Sequence, residues 1–378
     1  MKFLLNGPFT PFPNLDDEDG IYDFKDFWDW FVKHERRFVQ MLNIDHQADN
    51  EFKSIFMSRL TEVWKECAFY IMKREKGVYE ITFNISNQLR RVVTVEELIA
   101  AAPVLENWIF SAFTKPVEAA EYKCTVGNFS FDSSEVYFFS TQHAERPDMV
   151  DIAVVHKNYD KVYHEQAQGA CIKFIQHLVG ELEMLTQLDR LQIRPAAAGD
   201  PELIPLAKLP AFLRWRETEF VEKYKGVVYN KKGDPEDKYL MLESAPTSTG
   251  LVSIATVDRY AICWNETASY PWILTVTLSF EKKEDEPEKT TEAAINVFQQ
   301  ALKRTVDGYE EYLFLSHDYY NDVVTTYIAC NEFREISKIT EDLLREFDEQ
   351  FTLGYAIHLD KYWSVVDAYR QACFEDVT

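Results

Sequence analysis

The stretch Trp272-Ile273-Leu274-Thr275-Val276-Thr277-Leu278-Ser279-Phe280 opens the part of the chain that decides the fold. Trp272, Leu274, Val276, Leu278 and Phe280 alternate with Thr275, Thr277 and Ser279, the period of two expected of a strand with one wet face. A charged, proline-containing loop follows over 281–289. Thr290 or Thr291 is then placed to cap a helix whose stripe is Ala294, Val297, Phe298, Ala301 and Leu302. Two strands are expected over 312–319 and 323–330, turning at Asn321-Asp322. Asn331 reads as the cap of a helix carrying Phe333, Ile336, Leu343 and Phe347, and Leu353 to Leu359 reads as a last strand. The succession β-α-β-β-α-β is the split βαβ, ferredoxin-like arrangement. A further strand pair over 239–243 and 251–264 would extend its sheet.

Upstream the pattern also mixes helices and strands. Phe24, Phe27, Trp28, Phe31, Phe38 and Leu42 predict a helix over 24–42, and Phe52, Ile55, Phe56, Leu60, Val63 and Trp64 a second over 51–66. Such aromatic stripes read as core before they read as a cofactor box. Strands are expected at 68–72, 79–85 and 108–113. Thr94 to Glu97 has capping-box spacing for a short helix over 98–102, stopped by Pro103. A meander follows over 121–157, then one long helix over 163–190. The fold class is therefore α+β, with antiparallel or mixed sheets covered by helices rather than a βαβ Rossmann pattern. The expected division is an irregular acidic arm at 1–20, an α+β domain at 21–195, a linker and connector helix at 196–225, and the ferredoxin-like domain at 226–378. The boundary is placed by Pro195, Gly199, Pro201, Pro205 and Pro210.

The 378 residues carry 63 acidic against 40 basic side chains, a net charge of −23, with 46% hydrophobic and 15% aromatic residues. Global disorder does not fit that apolar content. Nucleic-acid affinity comes from Lys and Arg neutralising phosphates, so neither nucleic acid nor an anionic membrane is an expected partner. A basic protein would be attracted, although acidity can also serve solubility alone. No run approaches a membrane helix, and the apolar start at Met1 is cut short by Asn6-Gly7-Pro8. The six cysteines form no Cys-x-x-Cys pair and read as core thiols of a reducing compartment, with the cytoplasm as the expected location.

No phosphate-cradling glycine loop, G-x-S-x-G elbow or H-E-x-x-H helix is present, and no cofactor or metal site is expected. His317-Asp318, at the end of an expected strand, is the best candidate for an acid/base or hard-metal pair. Its plainer reading is a solvated turn. Glu181, on the apolar face of the 163–190 helix, is a second catalytic candidate, or an acid that pairs with a nearby base. Glu332 and Arg334 cluster at a helix start, where acids also suit the dipole. Asp360 and Trp363 form a polar-aromatic corner that could line a groove, although Trp363 reads first as a core plug. These four are the binding candidates.

Two groups of motifs resemble known families. Phe27-Trp28-Asp29-Trp30-Phe31, Val95 to Pro103 with Trp108, and Leu178-Val179-Gly180-Glu181 resemble the N-terminal region of uncharacterised bacterial cytosolic proteins. Tyr270-Pro271-Trp272-Ile273-Leu274-Thr275-Val276, Asn331-Glu332-Phe333-Arg334-Glu335 and Asp360 to Trp363 resemble the family called domain of unknown function 695. That family often has Gly-Met-Pro after its Pro-Trp strand, where this chain has Glu286-Pro287. It is similar in architecture to the acidic ribonuclease E inhibitors, so the resemblance implies an inhibitor or adaptor. The leading expectation is a non-enzymatic, acidic regulator of a basic protein. The alternative is an enzyme with a carboxylate or histidine site in a cleft between the domains.

Overall fold

The computed structural model describes residues 21–43, 46–119, 122–230, 234, 237–244, 252–280, 288–347 and 350–375, apart from the side chains of 46–49, 288–292 and 372–375. The expected arm at 1–20, most of the loop at 281–289 and the Cys373 side chain lie outside this set. The chain is mixed α and β, as its patterning implies. It divides into two compact units, residues 1–81 with 97–110, and residues 82–96 with 111–378.

The first unit is built on aromatic packing. Helix α1 (Phe24–Leu42) starts where the Asp23 carboxylate accepts the Asp26 N–H at 2.8 Å. Its buried face carries Phe27, Trp28, Phe31 and Phe38, and meets Phe52 and Phe56 of α2 (His46–Val63). Strands β1 (Phe69–Lys73), β2 (Tyr79–Phe83) and, after α3 (Val92–Ala100), β3 (Trp108–Ala112) make a three-stranded sheet with β2 in the middle. Trp108 stands 4.9 Å from Phe31 in an edge-on pair, and the Trp28 indole N–H donates to Leu98 O at 2.8 Å. The capping box expected at Thr94 is not used. A 3₁₀ turn at Leu89–Arg91 leads straight into α3, so Thr94 is already inside the helix.

The second unit begins with a hairpin of β4 (Lys123–Val126) and β5 (Phe129–Asp132). A four-stranded sheet follows, with β6 (Tyr137–Thr141) and β7 (Asp151–Val155) antiparallel. The single long helix expected over 163–190 is two helices and a strand: α4 (His164–Val179), α5 (Glu181–Gln187) and β8 (Arg190–Arg194). Gly180 makes the break, at φ +102°, a backbone region that side chains with a Cβ rarely occupy. The two helices form the crossover of a βαβ unit, because β8 pairs parallel with β7. With β9 (Ile204–Pro205) the order is β8-β7-β6-β9. Phe131, Phe138, Phe174 and Leu178 sit in the shared core. Helix α6 (Leu209–Tyr224) occupies the expected connector and lies within this second unit.

The rest of the chain makes one six-stranded antiparallel sheet. Its strands are β10 (Tyr239–Glu243), β11 (Ile254–Asp258), β12 (Trp272–Ser279), β13 (Tyr312–Tyr320), β14 (Val323–Cys330) and β15 (Thr352–Leu359). Their order across the sheet is β10-β11-β13-β14-β12-β15. The short helix α7 (Arg259–Ile262) follows β11, where the sequence suggested continued strand. Its N-cap Asp258 carboxylate takes the Tyr260 and Ala261 N–H groups, which favours a helical turn. Helices α8 (Glu288–Val306), α9 (Arg334–Phe347) and α10 (Asp367–Glu375) complete the unit. From β12 onward the elements run β-α-β-β-α-β, in the order expected. The β13–β14 turn puts Asn321 and Asp322 at φ +51° and +60°, the left-handed pair that a two-residue hairpin needs. Two expected caps are displaced. Helix α8 already begins at Glu288, ahead of Thr290 and Thr291, and Glu332 rather than Asn331 holds the first amides of α9.

Candidate binding cleft

A cleft of about 580 Å³ opens within the second unit, a size suited to a small molecule or a few peptide residues. One wall is α5, which presents Leu182, Glu183, Thr186 and Gln187. Another is α6, with Pro210, Leu213, Arg214 and Glu217. The third comes from the first residue of β12, Trp272, and from Glu332, Phe333 and Arg334 at the start of α9. Two of the four binding candidates from the sequence, Glu332 and Arg334, therefore meet here.

The charges on these walls differ in how far they are already engaged. Glu332 accepts the Arg334 and Glu335 backbone N–H groups at 2.8 and 3.1 Å, so its carboxylate caps α9. Arg334 is committed to Glu96: Nε lies 3.1 and 3.0 Å from its two carboxylate oxygens, and Nη2 lies 3.0 Å from one of them. This fork, opposed in part by burial, raises the guanidinium pKa above its ordinary value. Arg334 also stacks over Phe333, 4.8 Å from the ring centroid, and Phe333 meets Trp272 edge-on at 4.9 Å. Glu217 accepts the Gln187 side-chain amide at 2.9 Å. Glu183 lies folded toward Gly180, where a Cβ would collide with its carboxylate. Neither Glu183 nor the exposed Arg214 has an ionic partner among the described residues.

The remaining candidates lie elsewhere. Glu181 is fully buried. Its two oxygens accept the Ile85 N–H at 3.0 Å and the Thr114 N–H at 3.1 Å, while its own N–H donates to Thr114 O at 2.9 Å. Among the described residues, no base pairs with it. Burial pushes its pKa up, against the pull of these backbone hydrogen bonds and one from Ser86. It holds two loops together and does not line the cleft.

His317 and Asp318 do not form a pair, nor a solvated turn. They are consecutive residues inside β13, so they point to opposite faces of the sheet. His317 packs beside Phe314 under α8, lining a void of about 10 Å³, and burial with the Lys303 charge pushes its pKa down to about 4. Asp318 faces α10, where Tyr369 donates to it, and burial raises its pKa despite that bond. Asp360 is used locally. Its carboxylate accepts Ser364 Oγ at 2.8 Å and the Val365 N–H at 3.3 Å. Trp363 is 0% exposed and donates to Tyr270 O at 2.8 Å, so its ring is sealed from any partner.

Sequence reasoning missed Arg214, Glu217 and Trp272 as cleft residues. It also missed a polar knot centred on Asp148. The Asp148 carboxylate receives Lys223 Nζ at 2.8 and 2.9 Å, Tyr224 Oη at 2.8 Å and Tyr362 Oη at 2.9 Å. Lys361, beside it, pairs with Asp189 at 2.7 Å. Among the described residues, no group of three or more His, Cys, Asp or Glu is placed to hold a metal ion. No helix among them is long and apolar enough to cross a membrane. Compared with family models, with curated proteins and with solved structures, the chain matches none.

Proposed function

We propose that this chain is a binding protein for a basic protein segment, and that a lysine or arginine side chain of the partner enters the α5/α6 cleft. The observation that carries the reading is the charge left over on its walls. Arg334 is engaged by Glu96 and lies 3.5 Å from Glu332, which itself caps α9, so the Glu183 and Glu217 carboxylates are left against the single guanidinium of Arg214. These acids surround an apolar floor of Trp272, Leu182 and Leu213, and the stem of a long cationic side chain packs well on such a surface. The net charge of −23 would steer a basic partner toward it. Regulation by occupancy is also what the resemblance to inhibitor-like families implies.

The test is calorimetric titration of the full chain with a lysine-rich decapeptide at low and moderate salt. Glu183→Gln/Glu217→Gln is compared with a control, Glu165→Gln/Glu202→Gln, that removes the same charge outside the cleft. The expected result is binding that weakens with salt, and weakens about tenfold or more in the cleft variant but not in the control. Equal affinity in the two variants would assign the binding to net charge alone and defeat the proposal.

A further inference from the structure

We infer that the ligand of this cleft presents a carboxylate next to its basic group, as a C-terminal lysine or arginine does. This inference rests on the reading just given and sharpens it. Arg214 carries the point. It lies on α6 one turn before Glu217, so the two side chains share a helix face with Cβ atoms about 5–6 Å apart. The wall therefore offers a positive and a negative group side by side. Glu183 and Glu332 face the same space from the other walls.

A ligand carrying only positive charge would be repelled by Arg214 and would strip water from it without replacing the lost hydrogen bonds. A ligand with a carboxylate instead gives Arg214 the planar, two-oxygen acceptor that its fork matches. Arg334 cannot take that role, because its fork is already spent on Glu96. A C-terminal basic residue joins both groups through an apolar stem. Its anion sits on Arg214, its cation between Glu183 and Glu217, and its methylenes on Trp272 and Leu213. The cleft volume of about 580 Å³ exceeds what one residue fills and leaves room for the residues preceding it.

The probes are an acetylated hexapeptide ending in lysine with a free carboxylate, the same peptide as its C-terminal amide, and free lysine. Each is titrated into the wild-type chain and into Arg214→Gln, whose exposed position leaves the fold intact. The free acid is expected to bind the wild type about tenfold more tightly than the amide, and this preference should vanish in Arg214→Gln. Free lysine binding as tightly as the peptide acid would support the same ligand chemistry with a metabolite as its source. Equal affinity for acid and amide in the wild type would overturn the inference while leaving the basic-segment reading standing. No binding of either peptide, nor of the lysine-rich decapeptide, would overturn both.

Discussion

Removing the Lys361 ammonium should unfasten the six-stranded sheet of the second unit from the four-stranded one. Lys361 Nζ lies 2.7 Å from Asp189 Oδ2 and 3.0 Å from Asp148 O, and it sits 5.1 Å over the Phe220 ring. Its side chain is 6% exposed and that of Asp189 is 7%. The same Asp189 oxygen takes the Val150 N–H at 2.7 Å. One charge comes from the corner after β15, the other from the loop entering β8, so the pair ties the six-stranded sheet to the four-stranded one. Breaking a buried pair by removing one partner costs about 3–5 kcal/mol, because the other charge stays buried and unmatched. Lys361→Met keeps the volume and removes the charge. Asp189→Asn keeps an acceptor for Val150 and removes the opposite charge. Each single variant should lose about that amount, a large share of a typical domain's stability. The double variant buries no charge and should recover about 2 kcal/mol or more relative to the sum of the singles. Hydrogen exchange resolved at residues 148–150 and 359–363, alongside urea unfolding of the full chain, reads this layer directly. Additive losses would show that the two charges do not depend on each other, and the account of this contact would fail.

Glu181→Ala should destabilise the second unit by about 2–5 kcal/mol by orphaning the Ile85 and Thr114 N–H groups, with Glu181→Gln intermediate; urea midpoints would rank the three chains. Because burial raises the Glu181 pKa in the folded chain, its stabilising contribution is present below the unfolded value and fades as pH rises through the folded one. The advantage of wild type over Glu181→Gln should therefore shrink as pH rises, in unfolding curves taken across that window. Asp148 behaves in the opposite sense. Burial pushes its pKa up, but the hydrogen bonds from Lys223, Tyr224 and Tyr362 and the Lys223 charge together bring it below its usual value. Its contribution is present above the unfolded pKa and lost as pH falls through the folded one, so acid unfolding should be less steep in Asp148→Asn. Gly180→Ala should cost about 1–3 kcal/mol through backbone strain, and should also shift the lysine-rich peptide affinity by displacing the Glu183 carboxylate.

The order of elements in the C-terminal region was legible because its signals are periodic and local. Leu274 to Phe280 alternates cleanly, Asn321-Asp322 is a turn pair by composition, and α1 shows its apolar stripe without ambiguity. The break at Gly180 was not legible, since a glycine inside an apolar helical pattern looks the same whether the helix continues or turns. The positive φ is imposed by tertiary contacts, namely Glu181 reaching Ile85 and Thr114. The same holds for His317-Asp318. Adjacency in sequence suggested cooperation, and the strand placed the two on opposite faces. Within the cleft, Glu332 and Arg334 stood out as a charge cluster at a helix start. Arg214 and Glu217 looked like ordinary surface charges of a connector. Only their position opposite α9 makes them part of a site. The Asp148 knot joins residues 75 and 214 positions apart, a spacing that no local pattern encodes.

The break at Gly180 links the fold to the cleft. In a helix each residue turns the side chain by about 100°, so residues two apart point to nearly opposite sides. Because α5 starts afresh at Glu181, that acid points inward to the loop amides, while Glu183 points outward to the cleft. Had α4 run on unbroken, the helix axis and the phase of both acids would differ, and Glu183 would not rest against Gly180. The segment Gly180-Glu181-Leu182-Glu183 thus places one carboxylate where only backbone N–H groups can satisfy it and another where no described side chain does. The first is spent on structure. The second, with Arg214 across the same space, is the charge that the proposed ligand would meet.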